Sequence, residues 1–294
     1  MANDLFIRQN DEECLKCLVA QRHLSSMAKR WAYAPLFFIV VGLVLASWGN
    51  NIICSWLVVV VSLLGWLVSL IGEYRVDAYK TKAASLRQYV DFYIFQNVFA
   101  EEQMTKWIGL PLPSERSCET AEITMADIER AKVRDWYSDY SELESYAAVL
   151  ECQKSNLRWD AQLRFILALT FLLVLLVICG MDLFRIWDVP VKKALPALTW
   201  GAGLLSFFAK AMVHLIVDLI HIHEIDERAN DIERSLLENA GVSNRLVDLQ
   251  NKIYEHRVRR YLVPDWIYWK TRNRTQNRED AIARERSREG DKQC

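Results

Sequence analysis

A chain of 294 residues with 36 Lys and Arg against 37 Asp and Glu has a formal net charge of -1, which excludes a bulk electrostatic pull toward nucleic acid. Hydrophobic residues make up 52% and charged residues 25%, an average that would suit a soluble protein. The distribution does not suit one, because the apolar residues gather into two blocks that together hold four stretches long enough to cross a bilayer, at about 20 residues each.

The opening MANDLFIRQNDEE is polar and acidic, so no secretory signal peptide is expected. Residues 10–30 read as an amphipathic helix that Asn10 or Asp11 can cap, with Leu15, Leu18, Val19 and Met27 on its apolar side. Lys29 and Arg30 mark a membrane boundary, and the helix is expected to run on from Trp31 to Trp48 as a first span, with Pro35 near the interface. Gly49-Asn50-Asn51 is a tight turn into a second span from Ile52 to Gly72. Ser55, Ser62 and Ser69 recur every seven residues there, with Gly65 and Gly72 on nearly the same side. Small residues let helices approach closely, so these are helix-packing candidates, with a pore face as the other reading.

Charge returns after Gly72. The segment 73–162 begins as a continuation of the second span, apolar around Leu86, Val90, Tyr93 and Ile94, and breaks at Gly109-Leu110-Pro111. A loop is expected over 114–124, then a helix capped by Thr124 from Met125 to about Trp136. Asp135, Asp139, Glu142 and Glu144 surround Trp136, Tyr137 and Tyr140 in what reads as a solvated helix end. A helix from Ser141 to Arg164 should lead into a third span, Phe165 to Phe184, where Asp182 can pair with Arg185 before an Asp188-Val189-Pro190 turn.

The fourth span lies in the stretch Ala194 to Ile220. Thr199, Gly203, Ser206, Lys210 and His214 follow at steps of four, three, four and four, so they stack on one helical face. Such a stripe is either a small-residue packing seam, with Lys210 snorkelling toward headgroups, or the lining of a water-filled path. Further on, Leu215, Leu219, Ile222, Ala229, Ile232 and Leu236 keep the spacing of a helix that packs on partners. Gly241 ends it, Ser243 caps a helix through Arg260, and Pro264 stops that one. From Arg272 to Cys294 Arg and Glu alternate, as in an exposed helix or a disordered tail.

The expected fold is an all-α integral membrane protein: two transmembrane helical hairpins, four spans in all, extended into a cytoplasmic helical bundle. Its parts are a cytoplasmic amphipathic helix (1–30), hairpin 1 (31–72), a cytoplasmic helical segment (73–162), hairpin 2 (163–214), cytoplasmic helices (215–270) and a charged tail (271–294). Lys and Arg crowd the span ends near 29–30, 75–87, 158–164 and 210–228, which places both termini in the cytoplasm. Trp31, Trp48 and Trp187 sit where an interfacial aromatic belt would place them.

No catalytic motif emerges. Cys14-x-x-Cys17 lacks a second ligand pair, and His214, Asp218 and His221 share a face without a partner element, so no metal or other cofactor is expected. There is no phosphate-binding glycine loop and no Gly-x-Ser-x-Gly elbow.

Five stretches carry a resemblance: IRQNDEECLKCLVAQRHL (7–24), Gly109-Leu110-Pro111, Asp135-Trp136-Tyr137, CQKSNLRWDAQLR (152–164) and LVPDWIYWKTRNR (262–274). With the two hairpins they resemble the four-transmembrane effector family found beside SMODS nucleotidyltransferases and SLOG domains. The resemblance implies a bacterial inner-membrane effector of a nucleotide-second-messenger antiphage system, which forms pores and kills or arrests the infected cell. Its partners would be the lipid bilayer, further copies of itself and either a cyclic nucleotide or a nucleotide-sensing protein. The competing reading is a non-toxic membrane scaffold that gathers partners on its 215–236 coil.

Overall fold

The computed structural model describes residues 2–48, 52–99, 101–187, 191–236 and 241–291, with side chains over 4–45, 56–99, 101–184 apart from Asp182, 202–236 and 241–288. Among these residues there is no β-strand. Ten helices follow in order: α1 Ala2–Arg8, α2 Glu12–Trp48, α3 Ile52–Phe95, α4 Glu101–Met104, α5 Pro113–Thr120, α6 Met125–Ala131, α7 Ser145–Trp187, α8 Val191–Ser235, α9 Val242–Arg259 and α10 Asp265–Asp291.

The four long helices α2, α3, α7 and α8 are each apolar and long enough over one part to cross a membrane. With 37 to 45 residues they reach about 55–70 Å at 1.5 Å per residue, roughly twice the ~30 Å of a hydrocarbon core. Each is therefore a span continued into a solvent-side rod. Phe37, Trp66, Leu173 and Leu176 point outward on the apolar parts, 58–66% exposed, which only a lipid surface makes tolerable.

Helix α2 packs along α3, and α7 along α8. A Cβ at Gly65 would stand 2.8 Å from Phe38 Cβ, and one at Gly72 would stand 3.4 Å from the Trp31 carbonyl oxygen, so both glycines face α2 at close approach. Ser69 is half-buried and Ser62 exposed, while the Ser55 side chain lies outside the described residues. The two turn triplets 49–51 and 188–190 and the Asp182–Arg185 pair also lie outside them.

Two cores hold the fold. The larger lies in the solvent-side bundle, where Leu15 and Leu18 of α2, Leu86 and Val90 of α3 and Leu150 of α7 meet Ile222 and Ala229 of α8 and Leu246 of α9. The smaller lies where the rods leave the apolar zone. There Leu167 and Phe171 close on Phe208, Ala211 and Leu215, and Val263 just before α10 and Ile267 in its first turn pack beneath them. Leu215, Ile222, Ala229 and Ile232 are all buried inside this chain, so the spacing that suggested a coil for partners is satisfied within the chain.

Local chemistry explains where the sequence reading of the helix ends and the structure differ. The expected loop at 114–124 contains α5, begun by Pro113 at a position whose N–H would be unpaired anyway and by Glu115 Oε2, which accepts from the Leu112 N–H at 3.0 Å. Helix α6 has its Thr124 cap, accepting from the Asp127 N–H, but stops at Ala131 because Lys132 turns left-handed at φ 50 and returns its N–H to Ile128 and Glu129. Helix α7 starts at Ser145 and not Ser141, since the Ser141 N–H is taken by Asp139 Oδ1 at 2.9 Å. Ser243 caps nothing: its Oγ is buried without a hydrogen bond, and Gly241 at φ 74 admits the chain to α9. The charged 272–291 stretch is a helix with one exposed face, as one of the two readings had it, but its other face is docked. It continues α10, burying Thr275, Glu279 and Ala283 at four-residue steps. Glu279 pairs with Arg158 at 2.7 Å, and Arg286 reaches Glu233 at 2.8 Å.

Candidate functional site

A cavity of about 480 Å³ opens on the solvent side of the junction core, walled by α2, the α6–α7 connection, α7, the end of α9 and α10. Ten Lys or Arg residues and four Asp line it, with no Glu, so its walls favour an anion.

The α1–α2 elbow sets one wall. Gln9 clasps Tyr137, taking its N–H at 2.8 Å and donating to its carbonyl at 3.4 Å. Asn10 makes a similar pair with Asp135 two residues earlier, donating to its carboxylate Oδ1 at 2.9 Å and accepting from its N–H at 3.1 Å. Asp135 is held at φ 49, a left-handed conformation that Asp tolerates, and this swings Trp136 across the cavity wall. The ring of Trp136 lies 4.3 Å beneath the Arg87 guanidinium. Tyr137 and Tyr140 are 3% and 0% exposed, so the region read as a solvated helix end is a wall and a core. The acids around it gave the wrong impression because Asp135 is taken by the Asn10 side chain and Asp139 by the Ser141 N–H.

The inner cations have carboxylate partners. Asp91 is fully buried and accepts from Arg257 at 2.6 Å, Tyr137 Oη at 2.7 Å and Gln250 at 2.8 Å, with Arg87 at 3.1 Å. Asp160 takes Arg164 and Arg260, both at 2.7 Å, and His256 Nε2 at 3.1 Å. Burial holds the His256 imidazole below its ordinary pKa, and two guanidiniums already satisfy the carboxylate it faces. Burial pushes the Tyr261 phenol up to about 12, so it stays a hydroxyl at neutral pH.

Lys29 pairs with Asp265 at 2.5 Å, but two of the outer cations, Arg22 and Arg272, have no such partner. Arg22 donates to the Ala131 carbonyl and to Tyr268 Oη, and its guanidinium lies 5.6, 5.1 and 5.5 Å from the rings of Trp136, Tyr268 and Trp269. Arg272 donates to the Lys132 carbonyl at 2.8 Å and stands 5.9 Å from Trp269. Neither has a carboxylate at salt-bridge distance among the described residues.

The junction joins this cavity to the fourth span. Tyr261, in the cavity wall, donates its N–H to Asp218 Oδ2 at 2.7 Å, and its carbonyl accepts from Arg164 at 3.2 Å. Its ring stacks with His214 at 6.3 Å between centroids, the planes 22° apart. Asp218 is therefore engaged by Arg164 and Tyr261, away from the metal-like set with His214 and His221.

Of the stripe, Gly203, Ser206, Lys210 and His214 are all exposed on α8, and the Thr199 side chain lies outside the described residues. Gly203 sits near α2, a Cβ there standing 3.7 Å from Ile39. Lys210 Nζ is 3.7 Å from Glu73 Oε1, both side chains about 70% exposed, which places this pair at one level on α8 and α3. The exposed stripe thus runs from the α2 side at Gly203 past Glu73 of α3 to His214 beside the cavity wall.

The sequence reading missed the cavity. Its signal was the interleaving of Trp and Tyr with Arg in 262–274, and the step from Arg22 to Ser26 to Lys29 on one face of α2. Four of the five stretches quoted above converge on this one cavity through Arg22, Trp136, Trp159 and Trp269, while Gly109-Leu110-Pro111 docks elsewhere, on Tyr254 of α9. No curated protein and no solved structure matches the chain. A family model described as the SMODS-associating 4TM effector domain matches residues 3–286, nearly the whole chain, and the chain belongs to that family.

Proposed function

We propose that this effector domain assembles with further copies in the bacterial inner membrane and opens a path across it when a nucleotide-second-messenger signal reaches the bundle, arresting or killing the infected cell. The contact between His214 and Tyr261 carries the reading, because it ties the end of an exposed polar stripe to the wall of a basic cavity. Polar groups on the outer face of a span are costly against lipid and are covered by protein or water. Within one chain α7 and α8 close on Leu167, Phe171 and Phe208, the last two rings 5.1 Å apart, so a path has to form between copies. The excess of Lys and Arg at the solvent-side ends of the spans favours a bundle and both termini in the cytoplasm.

In this reading the resting assembly is closed. A signal at the cavity shifts Tyr261 and the Arg164–Asp218 pair, and α8 turns its Gly203–His214 face toward a shared lumen. The scaffold alternative loses much of its support, because Leu215, Ile222, Ala229 and Ile232 of the coil it would present are buried within this chain. Reconstitution in dye-loaded liposomes tests the proposal: the assembly should release dye when triggered, and intact liposomes at every protein density would refute it.

A further inference from the structure

We propose that the cavity itself is the receptor, binding a phosphate-bridged nucleotide whose bases stack on Trp136 and Trp269 and whose phosphates are held by Arg22 and Arg272. This deepens the proposed function and rests on it for the nature of the signal.

Three observations carry the assignment. The first is the uneven pairing of charge. Arg164, Arg257 and Arg260 are satisfied by Asp160, Asp218 and Asp91, whereas Arg22 and Arg272 meet only carbonyls, a phenol and ring faces. Two guanidiniums placed over aromatic rings without a carboxylate form an anion site of the bidentate kind that phosphates take. The second is Arg87, 4% exposed, whose Nη1 is buried with no hydrogen-bond partner while its Nη2 serves Tyr137 at 2.8 Å. A buried guanidinium nitrogen without a partner, directly above Trp136, is a donor in reserve on the same wall. The third is the aromatic surface: Trp269 is 47% exposed at the cavity wall, and Trp159 and Tyr268 lie 5.9 Å apart with their planes tilted by 32°. A lipid headgroup supplies phosphate but nothing flat, whereas stacking on Trp beside Arg is how unpaired bases are held. The volume of about 480 Å³ lies within the range of small-molecule sites.

The test uses the full chain in phosphatidylcholine nanodiscs, titrated calorimetrically with cyclic dinucleotides and trinucleotides of A, G and U, and with adenosine and inorganic pyrophosphate as the two halves of the ligand. At least one cyclic nucleotide should bind at micromolar concentration or tighter, and each half at least tenfold more weakly. Trp269→Ala, an exposed position, should weaken binding tenfold or more without moving the thermal midpoint of the unliganded protein, and Trp269→Phe should restore most of it. Arg22→Gln should weaken binding by a similar factor, with Arg22→Lys partly restored. Equal affinity in all these variants, or no cyclic nucleotide bound, would overturn the assignment. So would loss of the site on changing to phosphatidylglycerol nanodiscs, which would make it a headgroup site. Binding at the cavity without dye release from liposomes would leave the receptor standing and remove the pore; release that persists in Trp269→Ala at the wild-type nucleotide concentration would do the reverse.

Discussion

Arg164 Nε donates to Asp218 Oδ2 over 2.9 Å, joining the third spanning helix to the fourth at the level where both leave the apolar zone. The arginine is 1% exposed and the aspartate 6%, and both also hold the backbone of Tyr261. A pair so buried is costly to break from one side, because the remaining charge has no water. Asp218→Asn is expected to lower stability by about 3 kcal/mol, and Arg164→Leu by at least as much. The double variant Arg164→Met, Asp218→Leu should recover much of that loss yet remain inactive in permeabilisation, since it removes the link and keeps the packing. Thermal unfolding in nanodiscs, read beside dye release, checks both halves.

Tyr261 is the other half of that link, and its ring faces His214 while its backbone serves Arg164 and Asp218. Tyr261→Ala keeps the backbone bonds and removes the ring. Nucleotide affinity should change by less than threefold, while triggered dye release falls by tenfold or more.

In the spans, Ser206→Leu and Lys210→Leu should abolish permeabilisation with expression and insertion unchanged, because the exposed polar stripe then becomes apolar. Normal toxicity in both variants would dismiss the stripe. Ser62→Leu, an exposed position on α3 outside the stripe, should be silent.

Gly109 at φ 69 occupies a backbone conformation that an L side chain strains to adopt, and a Cβ there would lie 2.0 Å from Tyr254 Cζ. Gly109→Ala should cost about 2–4 kcal/mol, the sum of left-handed strain and overpacking. Tyr254→Ala in the same chain should recover the packing part only. Thermal midpoints of the two variants give the division directly.

Stability should fall on acidification through His256. Burial lowers the folded pKa beneath its ordinary value of 6.5, with Asp160 favouring the charged ring and Arg164 and Arg260 opposing it. Below pH about 6.5 the unfolded chain binds a proton that the folded chain refuses, so stability declines from there and levels off below the folded pKa. His256→Gln, which can still donate to Asp160, should flatten that slope between pH 7 and 5 in thermal scans.

How far the sequence could be read depended on the range of the determinants. Four apolar stretches, the Thr124 cap and the stop after α9 near Pro264 rest on neighbouring residues, and they read correctly. The start of α7 failed because Asp139 competes for the Ser141 N–H, a side-chain bond that composition does not announce. The charged 272–291 stretch was opaque for a different reason: its Glu279 and Arg286 find partners on α7 and α8, more than 50 positions away. The cavity was out of reach altogether. Arg22 and Tyr268, which meet at 2.5 Å, are 246 positions apart, and each alone looks like an ordinary solvated face. Only the rhythm of Trp, Tyr and Arg in the 262–274 stretch and the step from Arg22 to Ser26 to Lys29 pointed there.

The most direct test of a signal-triggered path is membrane potential and dye uptake in bacteria expressing this chain, alone and together with a partner enzyme that makes cyclic nucleotides. The account predicts depolarisation and dye uptake only when both are present, abolished by Lys210→Leu and by Trp269→Ala. Membranes that stay intact under both conditions, with the protein shown to be inserted, would contradict it.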